Sequence, residues 1–371
     1  MITSRESRNE GIELLRIVAM AMIVAVHFSV SHSDIYSGNQ AADFVNRYLY
    51  FSVVGGVDIF AIISGWVMCQ RTPNPDRLLK IWVQCIFYNI ILFCLYNMTY
   101  SEFPWTKLLY FLQPISRNTY WYLTAYFGMF LFLPLINKSL QMLPQKDLCK
   151  ILLFCFVLFS CQGTIFSQKD LYQLRKGFSV LWILICYVWG SCLCLLFRKK
   201  KIRKTFLKFC ILGVHVIFLL MSVIKSLQIY RLNTILDSVA LYISPLYLIY
   251  ATSLLLLFEQ ISIENSKIKK IIYKIASTTL GIYIIQMHPL VYRRIFNSKF
   301  YMHLALKDYL IEVLFVIIGV LILGCLLDLV RIKLFGLLRI DLLLDYVYGK
   351  LNMKLNTLLK KLRDFSFKHC I

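Results

Sequence analysis

Long apolar runs recur along the whole chain, and they limit its fold more than any other feature. LIEVLFVIIGVLILGCLL (310–327) and ILGVHVIFLLMSVI (211–224) are examples. About 20 apolar residues in a helix cross a bilayer. Of the 371 residues, 59% are hydrophobic and 16% are charged, whereas soluble chains average about 45–50% and about 25%. The sequence therefore predicts an all-α, polytopic integral membrane bundle.

The hydropathy pattern predicts about ten transmembrane helices. Their predicted ranges are 12–31, 49–69, 78–97, 119–137, 148–166, 177–197, 206–224, 238–258, 270–291 and 310–331. Most Lys and Arg residues fall in the loops that lie on one side when the N-terminus is inside, RKKKIRKTFLK (198–208) above all. The positive-inside rule then predicts cytoplasmic N- and C-termini. We expect a multi-pass protein of the cell inner or plasma membrane.

The net charge of +22 would suggest nucleic acid in a soluble protein, but basic cytoplasmic loops explain it here. We therefore expect membrane lipids around the chain and no nucleic-acid partner.

The twelve cysteines lie mostly inside apolar spans, without the paired spacing of a metal site, so we expect no metal. No internal repeat is evident.

Residues 336–371 differ from the rest, because apolar residues alternate with lysines, as in LNMKLNTLLKKLRDF. This pattern predicts an amphipathic cytoplasmic tail on the inner leaflet. The sequence thus divides into a transmembrane domain at 1–335 and a tail at 336–371.

The first predicted helix holds Arg16 and His27 in an otherwise apolar stretch. Eleven residues at about 100° each bring them onto one face, about 16 Å apart along the axis. Arg16 could instead snorkel to the interface, and His27 could be a polar group facing a loop. Together they indicate a polar path through the bundle. A histidine suits general-base chemistry, and an arginine suits an anion such as phosphate.

Three further residues are candidates with structural alternatives. Asp58 lies within a span, where a carboxylate is a functional candidate, although it could pair structurally or cap amides. Trp121 and Tyr122 open the fourth span, where aromatic residues often form an interfacial belt.

An ordered set of motifs resembles the acyltransferase family 3 membrane proteins. The R-x10-H of Arg16 and His27 is similar to the hallmark of that family, and five later segments follow in the family's order. These are GGVDIFAIISGWVM (55–68), DRLLK (76–80), NTYWYLTAYFGMFLFLPLIN (118–137), KGFSVLWILICYVWGS (176–191) and ASTTLGIYIIQMHP (276–289).

The resemblance implies transfer of an acetyl group from cytoplasmic acetyl-CoA to a hydroxyl of an envelope, capsular or lipid-linked polysaccharide outside. By this resemblance His27 would be catalytic with Arg16 as its partner, and Asp58 is a further catalytic candidate because it is a carboxylate within a span. Arg16, Arg77 and Lys80 would bind the CoA phosphates. The resemblance implies no metal cofactor.

The family resemblance also implies that Trp121 and Tyr122 contact the polysaccharide or glycolipid acceptor. Many relatives carry a histidine where this chain has Gln286, and His288 lies about 200° around a helix from it. Some relatives carry a fused SGNH hydrolase-like domain that completes the transfer. This chain would complete the transfer itself or use a separate periplasmic or extracellular partner. The alternative function is a transporter or flippase for a lipid-linked sugar.

Overall fold

The computed structural model describes residues 8–31, 39–100, 104–198, 200–227, 230–296 and 305–369, and within these ranges it contains helices and no strand. In the first half, the α-helices are α1 (Glu10–Ser31), α2 (Gln40–Val53), α3 (Gly56–Met68), α4 (Asp76–Tyr100), α5 (Leu108–Phe111), α6 (Trp121–Phe130), α7 (Leu133–Met142), α8 (Gln145–Phe154) and α9 (Gly163–Ile165). A π-helical segment, Cys155–Gln162, joins α8 to α9.

The second half of the chain continues the bundle. Its α-helices are α10 (Val180–Phe197), α11 (Lys204–Ser226), α12 (Tyr230–Val239), α13 (Pro245–Glu259), α14 (Ser266–Ala276), α15 (Thr279–Met287), α16 (Pro289–Phe296), α17 (Leu306–Leu337) and α18 (Ile340–His369).

Seven helical segments in the described part of the chain are long and apolar enough to cross a membrane, or eight if a bent pair forms one span. They are Glu10–Ser31, Gln40–Met68, Asp76–Tyr100, Gln145–Ile165, Val180–Phe197, Lys204–Ser226 and Leu306–Leu337, with Trp121–Phe130 plus Leu133–Met142 as the bent pair. The prediction of an all-α membrane bundle is confirmed. The count of ten and the cytoplasmic termini stay predictions.

The difference in count arises at three predicted spans. The span at 119–137 is α6 and α7, which meet at 58°, and Pro134 in the first turn of α7 cannot continue the hydrogen bonding of α6. The span at 238–258 reduces to the 15 residues of α13. The span at 270–291 is divided among α14, α15 and α16.

The α1 helix lies near the centre of the bundle, where it contacts α2, α3, α13, α14, α15, α16 and α17. The most extensive packing joins α3 to α10. There the Gly65 Cα faces the Tyr187 carbonyl and the Gly190 Cα faces the Ile62 carbonyl, so closely that a Cβ on either glycine would collide with backbone. Small residues allow this close approach of membrane helices. The two glycines thus hold α3 and α10 in close contact.

Two contacts anchor the ends of this core. Asn137 of α7 donates from Nδ2 to the Met68 carbonyl at 2.9 Å, just at the end of α3. Lys269 of α14 forms an ion pair with Glu10 at 2.7 Å, and this hydrogen bond raises the pKa of Lys269. The first turn of α1 is thus tied to α14.

The tail begins where α17 ends at Leu337. Arg339 has a φ of 51°, a left-handed conformation that ends α17 before α18 starts at Ile340. Residues 340–369 are helical, while residues 370–371 lie outside the described part. The division at 335/336 and the contact of the tail with the inner leaflet stay predictions.

Candidate active site

The α1 helix is continuous from Glu10 to Ser31, so Arg16 and His27 lie on one helix without a break between them. Eleven residues correspond to about 16 Å along the axis and to about 20° past three turns. The two side chains therefore lie at opposite ends of one face. The expected helical geometry of this pair is present.

Arg16 belongs to a basic cluster, defined here as Arg8, Arg16 and Arg77. The Arg16 Nη1 contacts the Glu13 carboxylate at 3.1 Å, and the guanidinium groups of Arg8 and Arg77 lie close enough to Arg16 to interact with it electrostatically. Glu13 is the acidic side chain that bonds Arg16 in the described part of the chain. The basic cluster therefore has an excess of positive charge, as an anion site requires.

Arg77 reaches the basic cluster from the first turn of α4. Its Nη1 lies 3.3 Å from the Met68 sulfur, and its guanidinium lies 6.0 Å from the centre of the Tyr126 ring. The structure thus brings Arg77 to Arg16, as expected if both bind one anion. Guanidinium groups match phosphate oxygens geometrically, so these residues fit the phosphates of CoA.

Lys80 is placed differently. Its Nζ lies 2.8 Å from the Asp345 carboxylate of α18 and 3.5 Å from that of Asp76. Two carboxylates neutralise this lysine locally. Lys80 therefore joins the tail helix to α4, and its predicted role toward CoA stays a prediction.

His27 lies at the other end of α1 among aromatic rings. Its ring centre is 5.6 Å from that of Tyr292 and 5.8 Å from that of Phe296, both on α16. The His27 Nδ1 is completely buried and has no hydrogen-bond partner. The same combination of burial and missing partner does not apply to Nε2. The imidazole therefore turns its Nδ1 edge into the protein.

Gln286 of α15 is the polar side chain beside this imidazole. It is fully buried, its Nε2 donates to the Met20 sulfur at 3.5 Å, and its Oε1 has no partner. An orphaned carbonyl oxygen beside an orphaned ring nitrogen is a complementary acceptor and donor pair. Position 286 is thus next to His27 although it is not a histidine.

His288 lies in another part of the core. It caps the C-terminus of α15, is fully buried, and its ring is stacked on that of Phe111 at 5.1 Å. None of the described contacts joins it to His27. The expectation that His288 does not replace residue 286 agrees with this arrangement.

Between Arg16 and His27, the shared face of α1 carries Met20 and Ile23. Their side chains are 3% and 5% exposed and belong to the main apolar core. A polar path through the bundle therefore stays a prediction. It would require movement of flexible side chains such as Met20.

Asp58 lies in the first turn of α3 and is fully buried. Its Oδ1 accepts from the Trp182 indole Nε1 at 2.9 Å and from the Cys186 thiol at 3.8 Å, both on α10. Its Oδ2 has no partner. No described contact joins Asp58 to His27, so a direct catalytic role stays a prediction, while the contact with α10 is structural.

Trp121 and Tyr122 open α6 and point to different neighbours. The Trp121 ring centre lies 4.6 Å from that of Phe178, at the edge of an open cleft. The Tyr122 ring centre lies 6.2 Å from that of Tyr283, one helical turn before Gln286. Trp121 therefore borders the cleft, whereas Tyr122 faces α15, the helix that carries Gln286.

Sequence reasoning missed the aromatic wall around His27 and the cleft wall opposite Trp121. Tyr292 and Phe296 are four residues apart on α16 and so share one face, a spacing that is visible in the sequence. The cleft wall at 171–181 overlaps the motif at 176–191 only in its second half, and residues 171–175 belong to no motif. Among the described residues, no group of three His, Cys, Asp or Glu side chains could hold a metal ion.

Comparison with known proteins agrees with this arrangement. The family model described as an acyltransferase domain, that of acyltransferase family 3, matches residues 9–329. No curated protein and no solved structure matches the chain. The match spans all the motifs from Arg16 to Gln286, and the resemblance seen in the sequence is confirmed. The chain therefore belongs to acyltransferase family 3 and is a multi-pass membrane acyltransferase.

Proposed function

We propose that the protein transfers an acetyl group from cytoplasmic acetyl-CoA to a hydroxyl of an envelope, capsular or lipid-linked polysaccharide at the outer face of the membrane. One observation carries the proposal. A single helix, α1, carries Arg16 in the basic cluster at one end and His27, whose buried Nδ1 has no hydrogen-bond partner, at the other.

The basic cluster would hold the donor. Arg16 and Arg77 would bind the phosphates of acetyl-CoA, because Arg8 and Arg77 add positive charge around Arg16, which pairs with Glu13. Charge-assisted contacts of this kind are about twice as strong as neutral hydrogen bonds. The pantetheine arm would then extend along α1 past Met20, and the thioester would reach His27 about 16 Å away.

His27 would act on the acceptor. Its Nε2 takes the proton of the sugar hydroxyl while the hydroxyl oxygen attacks the thioester carbonyl. The carbon–sulfur bond breaks, CoA leaves as the thiolate, and the imidazolium returns the proton to it. The products are the O-acetyl sugar and free CoA. A route in which His27 carries the acetyl group for part of the cycle stays open.

Gln286 would position His27 for this step. If its Oε1 accepts the Nδ1 proton, the neutral ring has its lone pair on Nε2, the atom that must act as base. The two unpaired atoms lie on neighbouring side chains, and a hydrogen bond between them would leave neither atom unpaired. A glutamine can therefore serve where many relatives carry a histidine.

The experiment uses labelled acetyl-CoA, membranes containing the protein, and envelope glycan extracted from the producing cells. Wild-type membranes should label the glycan, and His27→Ala should reduce the rate at least about 100-fold. His215→Gln is the control, because His215 bonds Tyr48 and Tyr250 at 3.1 and 3.2 Å on the α11 side of the bundle. Undiminished transfer in His27→Ala would refute the assignment. Glycolipid translocation that needs no acetyl-CoA would favour a flippase.

A further inference from the structure

An open cleft of about 750 Å³ lies between the start of α6 and the segment that leads into α10. This volume is in the range of small-molecule and ligand sites. Its lining residues are Asn118, Trp121, Thr124, Ala125, Leu171, Tyr172, Gln173, Arg175, Phe178, Ser179, Val180 and Leu181. Apart from Trp121, nothing in the sequence motifs assigned a role to these residues.

One side of the cleft is aromatic. The ring centre of Trp121 lies 4.6 Å from that of Phe178, and Phe178 lies 5.0 Å from Tyr242. Because Tyr242 and Trp121 are also 6.2 Å apart, the three rings support one another. The apolar C–H face of a pyranose packs on a fixed aromatic platform of this kind, since aromatic rings offer a large, rigid apolar surface.

The rest of the cleft lining mixes four apolar side chains, Ala125, Leu171, Val180 and Leu181, with polar groups and one cation. Amide or hydroxyl groups come from Asn118, Thr124, Gln173, Tyr172 and Ser179, and none of the lining residues is acidic. Arg175 is exposed, and its guanidinium has no ion-pair partner among the described residues. The lining therefore suits a hydroxyl-rich ligand with a negative group near Arg175.

The wall that carries Arg175 has an unusual backbone. Asp170, Gln173, Arg175 and Lys176 have φ values of 43°, 51°, 49° and 57°, which L-residues adopt only at a cost. Both Asp170 carboxylate oxygens accept from the Arg175 amide at 3.1 Å and hold this turn. Such strain tends to occur at functional sites. The wall is thus shaped before any ligand binds.

Aromatic side chains lie between the cleft and the surroundings of His27. Tyr242, behind the aromatic platform, is close enough to Tyr292 for electrostatic interaction, and the Tyr292 ring lies 5.6 Å from that of His27. On the other side, Tyr122 contacts Tyr283 at 6.2 Å, one turn before Gln286. If the helices between them each cross the membrane, the cleft and His27 also lie at the same membrane face.

We propose that this cleft binds the acceptor glycan and that Arg175 selects glycans with an acidic substituent, a carboxylate or a phosphate. This inference rests on the proposed acetyl transfer. Trp121 and Phe178 would stack on a sugar ring, Gln173 and Asn118 would bond its hydroxyls, and Arg175 would pair with the acidic group. The next sugar along the chain would then point toward His27.

The test uses membranes from producing cells in which each variant replaces the native protein. Extracted envelope glycan is titrated at saturating labelled acetyl-CoA. Trp121→Ala and Arg175→Gln should each raise the KM for glycan about tenfold or more and leave the KM for acetyl-CoA unchanged. Trp121→Phe should restore much of the glycan affinity because it keeps an aromatic face. Reduction of the glycan carboxylates, or removal of its phosphates, should abolish the difference between wild type and Arg175→Gln.

Two matched controls lie outside the cleft. Arg117→Gln removes one charge from an arginine that rests on the Tyr110 ring, and Trp105→Ala removes an exposed tryptophan that contacts Phe93. Both should keep the wild-type KM for glycan within about twofold, the range expected of surface substitutions.

A second readout is independent of transfer. Leu181→Cys places a thiol in the cleft, and its reaction with a membrane-impermeant maleimide should slow when the extracted glycan is added. If glycan protects the thiol from the maleimide but the wild type transfers no acetyl group, glycan binding in the cleft would be supported and the proposed function refuted. A different result would overturn glycan binding in the cleft and leave the proposed function standing. In that result the wild type transfers acetyl groups, glycan does not protect the thiol, and Trp121→Ala and Arg175→Gln keep the wild-type KM values.

Discussion

The carboxamide of Gln286 lies beside the imidazole of His27, and each side chain has a buried polar atom without a hydrogen-bond partner. These atoms are Oε1 of the glutamine and Nδ1 of the histidine. Leaving such atoms unpaired in an apolar core costs about 1–3 kcal/mol each. A site that orients His27 for catalysis explains why the cost is tolerated.

Substitution of Gln286 tests this relationship. Gln286→Leu removes the acceptor and should lower kcat about tenfold or more while the KM for acetyl-CoA stays constant. Gln286→His should restore much of kcat, because a ring nitrogen can accept the same proton. Steady-state transfer assays on the two variants measure both parameters. Equal rates in wild type and Gln286→Leu would remove Gln286 from the mechanism.

The basic cluster predicts how the donor binds. Arg16→Gln and Arg77→Gln should each weaken acetyl-CoA binding about 10- to 100-fold, since hydrogen bonds to charged groups contribute about 1.5–3 kcal/mol. Calorimetry on the detergent-purified protein measures the Kd for acetyl-CoA. Lys150→Gln is the control, because Lys150 is an exposed lysine that pairs with Asp147. Unchanged affinity in both arginine variants would place the CoA phosphates elsewhere.

Lys80 should behave unlike the two arginines. Because Asp345 and Asp76 already neutralise it, Lys80→Gln should change the affinity for acetyl-CoA by less than about threefold, as exposed ion pairs contribute about 0–1 kcal/mol. The same calorimetric titration with acetyl-CoA measures the affinity of this variant. A loss as large as that of Arg77→Gln would show that Lys80 leaves its carboxylates to bind the donor.

Asp58 provides a test of packing between α3 and α10. Asp58→Ala leaves the buried Trp182 N–H without its acceptor, which should cost about 1–3 kcal/mol and lower the Tm. Asp58→Asn keeps an oxygen that can accept from Trp182 and should lie close to wild type. Thermal unfolding in detergent compares them. Identical Tm values for the two variants would mean that the 2.9 Å contact does not hold these helices.

Asp328 is the centre of a buried network that joins α17 to α4. Its Oδ1 accepts from the Tyr88 hydroxyl at 2.6 Å and from the Arg331 Nε at 2.7 Å, and it is fully buried. Asp328→Ala should destabilise the protein by about 3–5 kcal/mol, because it leaves a half-buried guanidinium unpaired. Asp341→Ala, on α18, is the control. A Tm equal to wild type would show that the network does not stabilise the bundle.

The sequence predicts the helical class, most spans and the common face of Arg16 and His27, because these depend on local periodicity. It does not predict that Lys80 pairs with Asp345 or that Gln286 meets His27, since those partners are distant in the chain and only packing brings them together. The bend between α6 and α7 could be anticipated from Pro134. The left-handed turn from Asp170 to Lys176 could not, because no glycine marks its first positions.

The most direct measurement of the central claim is a sided transfer assay in proteoliposomes. Labelled acetyl-CoA is supplied only at the face that carries the basic cluster, and extracted envelope glycan only at the face of His27. We expect labelled glycan with the wild type, a loss of at least about 100-fold with His27→Ala, and a loss of about 10- to 100-fold with Arg16→Gln at subsaturating acetyl-CoA. Transfer that occurs only when donor and acceptor share one face, or that persists in His27→Ala, would contradict the proposed function.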